Sequence, residues 1–188
     1  MDPLIARSQD FLRYLDDFMA GLKPLRWSEA IADPKRAAVL SIDLINGFCY
    51  EGNLRSPRIA GILPSAVRLF AQAHARGVRD FALIQEWHDE HAEEFHAFPP
   101  HGVRGTREAQ TVKELAELPF ASSFKVIHKN SVHPAMGTEL DAWLDARALD
   151  TVIVVGDCTD ICAYLLALHL RCRANAVNAP MRVIVPAN

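Results

Sequence analysis

Residues 151–173, TVIVVGDCTDICAYLLALHLRCR, constrain the fold more than any other stretch. The apolar, β-branched run 151–155 stops at Gly156 and reads as a strand buried on both faces. A sharp turn through Asp157, Cys158, Thr159 and Asp160 follows. From about Ile161 the spacing of Ile161, Leu165, Leu168 and Cys172 is helical, with Thr159 or Asp160 available as N-cap. Strand, turn and helix put Cys162 in the first helical turn at the carboxyl end of a central strand, where open α/β sheets bind ligands. A helix N-terminus lowers a thiol's pKa, and the thiolate is the nucleophilic form. Considered alone, Cys162 reads as an ordinary buried packing residue before it reads as a catalyst, and Cys158 and Cys172 keep that reading.

The rest of the chain repeats the alternation. Residues 2–22 carry Leu4, Ile5, Phe11, Leu12, Leu15, Phe18 and Met19 at helical spacing, which predicts an amphipathic N-terminal helix laid across the domain or a partner subunit. A linker runs over 24–35. Strands are predicted over 37–43, 78–84, 124–128, 151–155 and 181–185. Helices are predicted over 62–76 with Pro64 in its first turn, 110–118, 137–147, and from 161. This order predicts an α/β domain: a doubly wound, mainly parallel β-sheet with helices on both faces. The expected division is an N-terminal helix and linker, 1–35, followed by the sheet domain, 36–188. Pro186, Ala187 and Asn188 follow the last strand where a covering helix is expected, so either that strand is an edge or the domain continues beyond 188.

Composition narrows the function. A formal charge of −3 provides no basic face for nucleic acid, and no apolar run reaches membrane-spanning length. The N-terminus is too acidic and too interrupted for a signal peptide. The cysteines at 49, 158, 162 and 172 lack the spacing of a disulfide framework or a CxxC zinc site, which points to a reducing cytoplasm.

In such a sheet Asp43, the Glu86 segment, Lys129 and Cys162 all follow strand carboxyl ends and fall on one edge. Asp43, partly desolvated at the end of an apolar strand, suits a general base for Cys162. Lys129 suits a cation that stabilises a thiolate and holds the carboxylate. Taken singly, Asp43 also reads as a turn or capping residue and Lys129 as a solvated surface lysine. The amides of Cys158 and Cys162 suit an oxyanion hole. Glu86, His88, Glu94 and His101 combine carboxylate and imidazole donors suited to zinc, manganese or iron. The competing reading is a solvated acidic loop, to which His91 and His96 are assigned.

Four stretches, in order along the chain, resemble the isochorismatase-like cysteine hydrolase superfamily and, within it, the nicotinamidases. They are DLINGFC at 43–49, EWH at 86–88 with EF at 94–95 and FPPHGVRGT at 98–106, KNS at 129–131, and GDCTDIC at 156–162. The resemblance implies a triad of Asp43, Lys129 and Cys162, and a non-proline cis peptide between Cys158 and Thr159. It implies a divalent metal, zinc first with manganese or iron as alternatives, on Glu86, His88, Glu94 and His101. It also implies Phe48 and Phe98 flanking a flat substrate ring. The chain departs from nicotinamidases at four of these positions. Glu86 stands where aspartate is usual, one methylene longer. Ile45 replaces a common glutamine, Phe98 a frequent tryptophan and Gly102 a frequent cysteine.

The expected activity is cleavage of the C–N bond of a small aromatic amide, nicotinamide foremost, through a cysteine thioester. The alternative is a metal-independent superfamily hydrolase of another amide, a carbamoyl compound or an isochorismate-like ether. A catalytically silent binding subunit is a third reading, opposed by the intact triad. The resemblance and the apolar N-terminal helix point to a homo-oligomer, with a small-molecule substrate and neither nucleic acid nor membrane as partner.

Overall fold

The computed structural model describes residues 3–187; Asp2, the first residue of the expected N-terminal helix, and Asn188 lie outside them. The chain forms two compact units, Met1–Ala32 and Asp33–Asn188. In the first, the expected single helix is two, α1 (Leu4–Arg7) and α2 (Gln9–Ala20), followed by the one-turn helix α3 (Trp27–Ala30) inside the expected linker. The break falls at Ser8, whose hydroxyl donates to the Leu4 carbonyl at 2.8 Å. Serine competes with helical hydrogen bonding in this way.

The second unit holds a five-stranded, all-parallel sheet of order β3-β2-β1-β4-β5. The strands are β1 (Ala37–Ile42), β2 (Asp80–Glu86), β3 (Lys125–Lys129), β4 (Thr151–Gly156) and β5 (Arg182–Ile184). Its helices are α4 (Asn46–Cys49), α5 (Pro57–Ala75), α6 (Lys113–Ala116), α7 (Leu140–Asp145) and α8 (Cys162–Ala176). Both faces of the sheet are covered. Alternate residues of β1, β2 and β4 pack with Leu140, Trp143 and Leu144 of α7 and Leu166 and Leu170 of α8. On the opposite face Phe81 stacks on Phe70 of α5, with ring centroids 5.4 Å apart. Every residue of β1 is buried, which is why that strand reads as a continuous apolar run.

Helix α5 starts at Pro57 rather than near Ile62. The Ser56 hydroxyl accepts from the Arg58 N–H at 3.2 Å, and Pro57 occupies the first position, where its missing N–H costs nothing. Pro64 therefore lies inside the helix. Among the described residues no helix is long and apolar enough to cross a membrane.

The chain passes from β1 to β2 and β3 on one side, then returns to β4 on the other. The switch point lies between β1 and β4, and Ile42 pairs there with Gly156. Gly156 has φ +139, and a Cβ built on it falls 2.1 Å from the Ile42 carbonyl oxygen. Only glycine fits that approach. Gly156→Ala is expected to cost about 3 kcal/mol, a fall of about 6–12 °C in Tm for a domain of this size, read by thermal melting.

Candidate active site

Register brings the sequence candidates together. β2 and β3 end side by side, with Glu86 paired to Lys129. The chain leaves β1 through Asp43 at φ +57, and its N–H still donates to the Ile84 carbonyl at 2.8 Å. Its carboxylate turns toward β2, where Oδ1 accepts from the Glu86 N–H at 3.0 Å. Lys129 Nζ then lies 3.0 Å from Asp43 Oδ2, 3.0 Å from Glu86 Oε1 and 3.9 Å from Cys162 Sγ. The ligand atoms of Asp43, Glu86 and Cys162 lie within 4.8 Å of one another. Asp43, Glu86, Lys129 and Cys162 are all buried.

Their charges follow from this packing. Burial raises the pKa of Asp43 to about 7, against the opposing pull of Lys129 and with some help from Glu86. Burial works against the Lys129 charge, but the two carboxylates outweigh it and hold the ammonium above its ordinary range. Cys162 differs from the expectation of a depressed pKa. Its hydrogen bond with Cys158 comes first, then burial and the Asp43 charge, and together they hold it as a thiol despite Lys129. The resting arrangement is thus a protonated sulfur beside a carboxylate whose pKa lies near neutrality. It can pass a proton from sulfur to oxygen when an electrophile arrives.

The nucleophile turn differs from expectation in three ways. Among the described residues no peptide bond is cis, so Cys158–Thr159 is trans; the chain reverses instead through Cys158 at φ +50. The residue before α8 is Ile161, with no side-chain cap, so neither Thr159 nor Asp160 serves; the Cys158 carbonyl instead accepts from the Ile161 and Ala163 N–H groups, both at 3.0 Å. The Cys158 N–H is itself taken by Asp157 Oδ1 at 2.5 Å. Asp157 is buried, burial raises its pKa, and its Oδ2 has no partner among the described residues. Sequence reading passed over Asp157; a carboxylate ending an apolar strand was the available signal.

Glu86, His88, Glu94 and His101 gather as well, their ligand atoms within 4.8 Å of one another. The His88 N–H donates to the Gly102 carbonyl at 3.0 Å and its own carbonyl accepts from Arg104 at 2.9 Å, which pins the His101 loop to the end of β2. His101 Nδ1 lies 2.7 Å from the Pro99 carbonyl, which only accepts, so Nδ1 donates. His88 Nδ1 lies 3.3 Å from Asn130 Oδ1, an oxygen that also accepts the Asp89 N–H at 2.9 Å. Both imidazoles therefore turn Nε2 toward carboxylates. His101 Nε2 is 2.9 Å from Glu86 Oε2, and His88 Nε2 is 3.5 Å from the same oxygen and 3.7 Å from Glu94 Oε1.

Lone pairs facing carboxylate oxygens need a cation between them, or a proton. Glu86 Oε2, His88 Nε2 and Glu94 Oε1 are buried with no hydrogen-bond partner among the described residues. Such orphaned donor atoms, held by outer hydrogen bonds to the far ring nitrogens, fit a divalent ion. Burial opposes charge on His101, but Glu86 outweighs it and raises its pKa. Burial likewise opposes charge on Glu86, yet His101, His88 and Lys129 hold that carboxyl well below its usual range. His91 and His96 are exposed, as assigned.

Phe48 and Phe98 both pack on His101, with ring centroids 5.7 and 6.2 Å away. Phe95, not singled out from sequence, contacts both imidazoles, 5.2 Å from His88 and 5.6 Å from His101.

Comparison with known proteins agrees with this architecture. The isochorismatase domain family matches residues 37–177. Nicotinamidase 1 of Arabidopsis thaliana is 27% identical over 158 residues, 77% of this chain and 64% of that protein's length. The chain thus spans less than two thirds of that relative. The nicotinamidase of Escherichia coli strain K12 is 28% identical over 177 residues, 77% of this chain and 81% of its own length. A pyrazinamidase of Pyrococcus horikoshii, crystallised in complex with zinc, shares the fold at a TM-score of 0.64 and 18% identity, covering 80% of this chain and 99% of that one.

Among the described residues Lys129 is the cation paired with both Asp43 and Glu86, so its loss leaves two buried carboxylates face to face. Lys129→Ala is expected to cost about 3–5 kcal/mol, seen as a lowered urea midpoint.

Proposed function

The chain belongs to the isochorismatase domain family, and from that premise we propose that it is a cysteine amidohydrolase that cleaves a small aromatic amide, with nicotinamide as the first candidate. The observation that carries the reading is the buried cluster of Cys162, Asp43 and Lys129 at the carboxyl edge of the sheet. The similarity to two nicotinamidases supports the substrate class.

In this reading Asp43 takes the Sγ proton as sulfur attacks the carboxamide carbon. Lys129 keeps the Asp43 carboxylate in place and offsets the charge gathering beside the sulfur. The Cys162 N–H, at the start of α8, faces the developing oxyanion. The Cys158 N–H joins it when Asp157 Oδ1 lets go. Asp43 next returns the proton to nitrogen as the C–N bond breaks, which releases ammonia and leaves an acyl thioester. A water deprotonated by Asp43 then cleaves the thioester and restores the thiol. Phe48 and Phe98 offer apolar faces to the substrate ring.

Glu86, His88, Glu94 and His101 hold the metal in this reading, and their mixed nitrogen and oxygen donors suit zinc, with manganese and iron as alternatives. A divalent ion there supplies a Lewis-acid contact for a heteroatom of the substrate.

Two measurements test the proposal. Cys162→Ala is expected to release no ammonia from nicotinamide while its circular dichroism and Tm match the parent; retained turnover would remove sulfur from the reaction. Asn130→Ala, which frees His88 Nδ1, is expected to weaken zinc about 10–100-fold in competition with a chromophoric chelator. Unchanged zinc affinity would separate His88 from the metal.

A further inference from the structure

Glu86 does two things at once in this structure. Its Oε1 lies 3.0 Å from Lys129 Nζ, and its Oε2 lies 2.9 Å from His101 Nε2 and 3.5 Å from His88 Nε2. The same ammonium lies 3.0 Å from Asp43 Oδ2. One carboxylate therefore ends the row of ionisable groups that begins at the sulfur and starts the group of metal donors. Its length is what permits this. An aspartate on the same backbone would withdraw both oxygens by about 1.5 Å, one carbon–carbon bond, and reach one side only.

The neighbouring backbone is cut to suit. Gly102, at φ +51, faces Glu86, and a Cβ there falls 3.0 Å from Glu86 Cβ and 3.4 Å from Oε2. Glycine at this position keeps a Cβ from crowding the root of the Glu86 side chain. The Glu86 N–H donation to Asp43 Oδ1 at 3.0 Å ties the same residue to the base through its backbone.

We infer that Glu86 is a positioning residue for Lys129 as well as a metal ligand, so that ammonium and metal compete for one carboxylate and the metal group is coupled to the reacting sulfur through it. The inference rests on the metal-binding part of the reading above and goes beyond it by making Lys129, which is no ligand, a determinant of metal affinity. Coupling through a shared group shows as non-additivity between the two positions.

The test is a double-mutant cycle read as zinc dissociation constants, with zinc alone as ligand and a chromophoric chelator as competitor. The four proteins are the parent, Lys129→Gln, Glu86→Asp and the double variant. Glu86→Asp is expected to keep one equivalent of zinc. Lys129→Gln is expected to tighten zinc about ten-fold when Glu86 is present, and by less than about two-fold beside Glu86→Asp. An equal factor in both backgrounds means charge acting through space and overturns the sharing, as does no effect in either. Loss of zinc from Glu86→Asp would show that the extra methylene serves the metal alone, with the same consequence.

If Lys129→Gln does not fold, Asp43→Asn replaces it with the opposite sign. Lys129 then has Glu86 as its remaining carboxylate, and zinc is expected to weaken about five-fold beside Glu86 but not beside Glu86→Asp. Equal weakening overturns the inference. Parent protein that takes up no zinc defeats both this inference and the metal reading, whereas zinc uptake with additive effects defeats the inference alone. Ammonia release, scored separately, decides the amidase proposal.

Discussion

A buried ammonium between two buried carboxylates is the constraint on which the site depends. Lys129 is almost wholly withdrawn from solvent, and so are Asp43 and Glu86. Charges in such a place are tolerated only with matched partners and good geometry. Here three strands supply the geometry. β1 ends just before Asp43, β2 ends on Glu86 and β3 ends on Lys129. Because the strands are parallel and in register, their carboxyl ends face the same edge, and residues far apart in sequence converge without any long loop to carry them.

The two carboxylates on Lys129 end up in opposite states. Asp43 is lifted to about 7 mainly because it is buried. Glu86, equally buried, has two imidazoles as well as the ammonium and is held low. The base and the ligand are thus told apart by their neighbours rather than by their chemistry. The same logic keeps Cys162 protonated at rest: two acidic groups and a second thiol surround it, and one cation does not overcome them.

Much of this was legible in the sequence, because strand order alone dictates which residues share a sheet edge. The apolar runs before Asp43 and Gly156, and the run that leads into Glu86, announced buried strands, and their terminal polar residues announced the site. What stayed hidden was decided by local hydrogen bonds that leave no periodic trace. The start of α5 was fixed by Ser56 and Pro57, not by the apolar spacing around Ile62. The reversal at Cys158 was fixed by a backbone angle and by the Asp157 side chain, so the expected cis bond and side-chain cap were both absent. The orienting role of Asn130 on His88 and the ring of Phe95 depend on contacts across elements, which sequence spacing does not encode.

The order of the strands has a consequence for how the protein comes to exist. β1, at the centre of the sheet, is flanked on one side by β4, and Arg36 and Asp150 at their roots, 114 positions apart, pair at 2.6 Å. Contacts of that separation close late, because the loop entropy is spent before the contact forms. During synthesis β1 therefore waits with one edge bare until β4 emerges. The cluster of Asp43, Lys129 and Cys162 is absent from any nascent form that lacks β4 and α8, and a chain stalled before β4 carries an open strand edge of the kind that pairs with other chains.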